Sequence, residues 1–228
     1  CSGGPQEEEA FSLSCARYIE EKLFKTILPP EEVAAIFVEP IQGEGGYVVA
    51  PDNFLRELRE ICTRHGILLV ADEVQSGAGR TGKWWAIEHT GVQPDIICSA
   101  KGIASGMPLG VMMSRADIMD WHKGAHASTF GGNPVALSAA LKTIELLEGG
   151  LIDNSREVGA YLEAGLNRLM EKHDCIGDVR GLGMMLGVEF VTDKTSLTPA
   201  PELRDAVEMA CFNSGLIILG CGPNSIRF

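Results

Sequence analysis

Three short apolar runs in this chain each end in side chains able to do chemistry. Residues 34–38 run into Glu39, residues 67–71 into Asp72 and Glu73 with Gln75 close behind, and residues 95–99 into Lys101. An amine can act as a nucleophile or carry a proton, and a carboxylate can steady a positive charge or move a proton itself. One acid after one strand means little. Three strands delivering such groups to one rim mean more, because in open α/β sheets the ligand crevice lies outside the carboxyl ends of the strands.

The runs must be held by a scaffold, and the rest of the chain supplies one. Residues 11–24 read as an amphipathic helix after a polar, irregular stretch 1–9, and Pro29-Pro30 ends it. Residues 34–38 suit a buried strand, and Gln42-Gly43-Glu44-Gly45-Gly46 a loop. Pro51 opens a helix with Leu55, Leu58 and Cys62 on one face and Gly66 just past its end. Strands at 67–71 and 95–99 follow, so strands alternate with helices as in a mainly parallel α/β sheet. Residues 134–147 and 152–173 are helical, the second with Val158, Leu162, Leu166 and Leu169 at helical spacing. Beyond them the pattern changes: alternating apolar residues and glycines over 178–191, a helix at 201–213 and a strand at 216–219. That succession predicts a large α/β domain over 1–150 and a smaller α+β domain over 151–228.

Composition narrows the function classes. The chain has 228 residues, 45% hydrophobic and 22% charged, enough for a packed core. A net charge of −12 argues against nonspecific nucleic-acid binding, which needs a basic face. No apolar run reaches membrane-spanning length, and no secretory signal pattern is present. The seven cysteines, at 1, 15, 62, 98, 175, 211 and 221, form no Cys-x-x-Cys pair and read as reduced thiols of a cytoplasmic protein. An opening Cys1 in place of methionine, and an end at Ile226-Arg227-Phe228 that reads as mid-strand, predict a piece of a longer protein.

Several motifs, in one order, carry a resemblance that covers nearly the whole chain. Glu39-Pro40-Ile41-Gln42-Gly43-Glu44-Gly45-Gly46 resembles the glutamate loop of class III, fold type I aminotransferases dependent on pyridoxal 5'-phosphate. Leu69-Val70-Ala71-Asp72-Glu73-Val74-Gln75-Ser76-Gly77, with Gly79-Arg80-Thr81-Gly82, is similar to their cofactor-ring segment. Pro94-Asp95-Ile96 leads to Lys101 where the Schiff-base lysine belongs. Ser128-Thr129-Phe130-Gly131-Gly132-Asn133-Pro134 resembles their phosphate loop, and the final 221–228 segment their carboxylate-binding stretch.

The resemblance implies a role for each position. Asp72 would keep the pyridine nitrogen protonated, since an adjacent carboxylate favours the charged form. Val74 would lie on one face of the ring, and Gln75 would bond its phenolic oxygen. Lys101 would carry the cofactor and then move a proton between substrate and cofactor. Thr129 would bond the phosphate, reaching the partner subunit's site in a homodimer with shared active sites. Arg227 would grip a substrate carboxylate in two parallel bonds, and Glu44 would pair with Arg227 when the bound amine has no α-carboxylate. Glu39 would stand behind these groups, while Arg180 would brace the smaller domain.

Amino transfer from an ω-amino acid such as 4-aminobutyrate to a 2-oxo acid such as 2-oxoglutarate is the reaction this implies. Acetylornithine or ornithine aminotransferases and racemases share most of these motifs. The family's main phosphate-binding turn and ring-stacking aromatic have no counterpart here, so the 228-residue chain alone is expected to be inactive.

Two patterns point elsewhere and fail on detail. Gly77 to Lys83 satisfies Gly-x-x-x-x-Gly-Lys, but Trp84 stands where a nucleotide-binding ATPase needs Ser or Thr for magnesium. His122 and His126 have zinc-helix spacing, but Lys123 replaces the required glutamate and Gly124 weakens any helix. No metal is expected.

Overall fold

A computed structural model describes residues 5–228; Cys1 and the rest of 1–4 lie outside the described residues. In chain order the elements are α1 (Pro5–Tyr18), α2 (Phe24–Thr26), β1 (Ala35–Val38), β2 (Ile41–Gln42), β3 (Val48–Val49), α3 (Asp52–His65), β4 (Leu68–Asp72), β5 (Ile96–Ser99) and β6 (Val111–Ser114). Then come α4 (Pro134–Leu146), α5 (Ile152–Lys172), β7 (Ile176–Leu182), β8 (Met185–Phe190), α6 (Pro201–Asn213), β9 (Leu219–Cys221) and β10 (Ser225–Arg227). The described chain divides into two compact units: residues 5–40, 50–75 and 86–145 form the first, and 41–49, 76–85 and 146–228 the second.

The first unit is built on a sheet in the order β1-β4-β5-β6. β1, β4 and β5 run parallel, with Val38 opposite Ala71 and Asp72 opposite Cys98, and β6 closes the sheet antiparallel to β5. α3 buries Leu55, Leu58, Ile61 and Cys62, a stripe at helical spacing. Each such side chain contributes about 1.5–3 kcal/mol on removal from water. The helix stops at Gly66, whose φ of 67° is left-handed, and the Ile67 amide then bonds the Cys62 carbonyl at 2.9 Å.

The second unit holds the antiparallel sheet β7-β8-β10-β9 and the small β2-β3 ladder. Its core joins Leu166 of α5 to Ile176, Leu186, Val188, Phe190 and Ile226. α5 comes so near the β7-β8 turn that a Cβ added at Gly159 would stand 2.2 Å from the Gly183 carbonyl.

Some expectations shift. Residues 5–9 are helical, not irregular: proline is tolerated in a helical first turn, and the acids Glu7 and Glu9 favour its positive end. The strand expected at 216–219 starts only at Leu219, because its ladder is fixed by pairing with three-residue β10, Cys221 opposite Ser225 and Leu219 opposite Arg227. β6 and the β2-β3 ladder were not anticipated; four residues and two residues are too few for a period to show.

Candidate functional site

In the first unit, parallel pairing brings the ends of β1, β4 and β5 to one edge of the sheet. Glu39 follows β1 and is half-buried, Asp72 is the last residue of β4, and Lys101 comes two residues after β5. Asp72 Oδ1 accepts the Val74 amide at 3.0 Å, which turns the chain and places Val74 and Gln75, both half-buried, directly beyond the edge. Cys98 lies beside Asp72, and its thiol is pushed up by burial and by that carboxylate.

Lys101 opens a tight 3-10 turn, Lys101–Ala104, with φ of 45°. Left-handed backbone at a residue with a Cβ is strained, typically by ~1–2 kcal/mol, and such strain collects at functional positions. The side chain is exposed and lines an open depression with Ala100, Gly106 and Pro108. Among the described residues its amine has no hydrogen-bond or ion-pair partner. Nearby, the Ser99 hydroxyl is buried with no partner, the one such side-chain atom among the described residues.

Thr129 lies on an exposed loop and hydrogen-bonds none of these groups among the described residues. The same loop ends in a helix cap: Asn133 Oδ1 accepts the Ala136 amide at 2.9 Å, with Pro134 opening α4.

The two other expected residues, Glu44 and Arg227, meet in the second unit as an ion pair. The arginine is 18% exposed and the glutamate 70%. Burial opposes the Arg227 charge, but the Glu44 carboxylate outweighs it and raises the guanidinium's pKa. Below them Arg180 donates to the Gly46 carbonyl through Nε at 3.0 Å and Nη2 at 2.7 Å. It also bonds Asp178, Glu189 and the Ser225 hydroxyl, so it does tie β7, β8 and β10 together.

The Gly77–Lys83 stretch has a structural use in the second unit. The Gly79 amide bonds the Trp84 carbonyl and the Gly82 amide the Gly79 carbonyl, which commits donors that a phosphate loop keeps open. A Cβ at Gly82 would stand 2.8 Å from Arg156 Cβ, and Ser155 donates to the Arg80 carbonyl at 2.8 Å. Its glycines serve close packing against α5.

Sequence reasoning missed Asp95 as a structural acid. It is 9% exposed, accepts from Arg59 at 2.6 Å, Arg115 at 2.9 Å and the Leu69 amide at 2.8 Å. Burial works to raise its pKa, yet these donors prevail and hold it below the usual 3.8. An acid directly before a buried strand was the available signal.

The family model for aminotransferase class-III matches residues 5–228. The chain belongs to the class-III aminotransferase family. It is 44% identical over 204 residues to the 4-aminobutyrate aminotransferase GabT of Escherichia coli, covering 89% of this chain and 48% of that protein. It is 46% identical over 206 residues to an alanine/serine racemase of Pyrococcus horikoshii, covering 90% and 43%. Among solved structures, an amine transaminase from an uncultivated Pseudomonas species, in its PLP-bound form, superposes with a TM-score of 0.88 at 35% identity, over 99% of this chain and 54% of that one. The chain thus spans about half the length of the curated relatives it matches. The fold is that of fold type I transaminases, with a mostly parallel sheet in the first unit. No helix among the described residues is long and apolar enough to cross a membrane.

Proposed function

We propose that this class-III aminotransferase chain moves an amino group from an ω-amino acid such as 4-aminobutyrate to a 2-oxo acid such as 2-oxoglutarate, using pyridoxal 5'-phosphate. The observation that carries the reading is the edge where a carboxylate (Asp72), an amide (Gln75) and a strained, unpartnered lysine (Lys101) end adjacent parallel strands. This donor set fits the cofactor: a charge partner for its ring nitrogen, a bond for its ring oxygen and an amine for its aldehyde. When bound, the cofactor supplies an electron sink for the charge left as a carbon–hydrogen bond breaks.

The chain's own side chains divide the remaining work. Asp72 holds the proton on the ring nitrogen by opposite charge. Gln75 and Val74 orient the ring, with Glu39 standing behind them. Lys101 would take the proton from the substrate carbon and return it two atoms away, on the far side of the bridging nitrogen. Arg227 binds the 2-oxo acid's carboxylate, and Glu44 neutralises Arg227 when the amine brings none. Thr129 serves the phosphate of a second subunit, so the working unit is a homodimer with shared sites. Free thiols at all described cysteines suit a cytoplasmic setting.

The test is borohydride reduction of the intact protein incubated with the cofactor, followed by peptide mapping. A pyridoxyl mass on Lys101 is expected; the same mass on a different lysine would sink the assignment. Transfer of labelled nitrogen from 4-aminobutyrate to 2-oxoglutarate, measured in parallel, separates amino transfer from racemisation, in which the amino group stays on its own carbon.

A further inference from the structure

The segment that carries Glu44 is held down by a residue to which the proposed reaction gives no part. Arg180 lies on β7, with a side chain only 17% exposed. Its Nη1 is anchored by Asp178 at 2.8 Å and Glu189 at 2.7 Å, which fixes the guanidinium plane. From that anchored plane Nε and Nη2 fork onto one acceptor, the Gly46 carbonyl, at 3.0 and 2.7 Å. Two charge-assisted bonds to a single carbonyl form a strong and directional clamp. Gly46 itself takes a φ of 120°, and a Cβ there would stand 3.2 Å from Arg180 Nη2, so the approach needs glycine.

Two more contacts hold the same few residues. The Gly222 amide donates to the Glu44 carbonyl at 2.7 Å. Tyr47 is buried, and its Cβ would be 3.2 Å from a Cβ added at Gly187, the ladder partner of Arg227. On the segment's own side these contacts use the Glu44 and Gly46 carbonyls and the Tyr47 side chain. The Glu44 carboxylate is largely in water while Arg227 is mostly buried, so the acid is the partner that can leave at small desolvation cost.

We propose that Arg180 is a positioning residue that locks the backbone of Gly43–Gly46 to the sheet, so that Glu44 covers or uncovers Arg227 by side-chain rotation alone. A segment free to lift would carry Glu44 away from Arg227 and leave the arginine unneutralised against substrates lacking a carboxylate there. Arg180 thereby sets the balance between two substrate shapes without touching either. This rests on the reading of Arg227 as the carboxylate-binding residue.

Two measurements test it, on Arg180→Met and on Arg180→Lys, which keeps the charge and one bond. Amide hydrogen exchange of the intact protein reads the clamp directly. The Gly222 amide is expected to exchange at least tenfold faster in Arg180→Met, with Arg180→Lys between it and the parent, while β8 amides keep their protection. No change at Gly222, or equal acceleration at Gly222 and β8, overturns the clamp. Single-turnover kinetics of the intact protein read the consequence. The kcat/KM for the ω-amino donor is expected to fall at least tenfold relative to that for the 2-oxo acid, mainly in KM, with partial rescue in Arg180→Lys. If exchange responds but both half-reactions fall alike, the clamp stands, and the roles of Glu44 and Arg227 in substrate choice are overturned.

Discussion

Asp95 and Asp72 stand at opposite edges of the first unit's sheet, one before β5 and the other at the end of its parallel neighbour β4, and they are treated in opposite ways. Asp95, at the amino edge, is buried under two arginines and a backbone amide. Asp72, at the carboxyl edge, is half-buried and takes one amide from its own turn. Nearby Lys101 is strained and unpartnered among the described residues, and Ser99 buries an unmatched hydroxyl. One edge spends its polar groups on holding the sheet together. The other keeps them available, at some cost in stability, as expected where a ligand completes the bonding.

The largest expected effect tests the amino edge. Asp95→Ala strands the largely buried Arg59 guanidinium and the Leu69 amide, while Arg115 keeps Asp117, and removing one partner of a buried pair typically costs ~3–5 kcal/mol. Arg115 is 57% exposed, so the loss should sit near the low end, about 3 kcal/mol, by urea unfolding. Asp72→Ala loses only the acceptor for the Val74 amide and should cost about 1 kcal/mol by the same measurement. Equal losses at the two positions would erase the distinction between the edges. The contrast also has a pH signature. Folding lowers the Asp95 pKa below 3.8, so its contribution is in full above that value and is lost as pH falls through the folded one. Asp95→Asn should flatten this acid-side loss of stability.

A smaller effect tests strain at the carboxyl edge. At Lys101, glycine accepts the left-handed backbone and alanine does not, so Lys101→Gly should be more stable than Lys101→Ala by about 1 kcal/mol. In an unstrained turn the order would reverse. The smallest effect belongs to Ser99. Removing an unpaired buried hydroxyl is neutral or mildly stabilising, so Ser99→Ala should gain up to about 1 kcal/mol in thermal unfolding. A clear loss there would mean that the hydroxyl is matched after all.

Much of this edge was legible in the sequence because it depends on local order: an apolar run, then a polar residue, repeated at α/β spacing. α3 was readable for the same reason, from its apolar stripe and Gly66. What stayed hidden depends on partners far along the chain. Nothing near Arg180 tells that it clamps Gly46, 134 residues away. Asp95 gives no local hint of Arg59 and Arg115. The apolar run at 216–219 suggested a strand, yet its pairing partner β10 decides where the ladder starts.

The Glu44–Arg227 pair joins residues 183 apart in sequence, and the backbone passes repeatedly from one unit to the other before it can form. During synthesis the Gly43–Gly46 loop is made long before the strand that receives it. At typical elongation rates the interval is roughly 10–40 seconds. Arg180 is made only 134 residues after Gly46 and Gly222 later still, so for most of that time the loop lacks its clamp, and its glycines and Tyr47 must stay unstructured without misdocking. β10 therefore fastens the second unit: it lies between β8 and β9 in the sheet, so until Arg227 is made β9 lacks its ladder partner β10 and Arg227 is not there to receive Glu44.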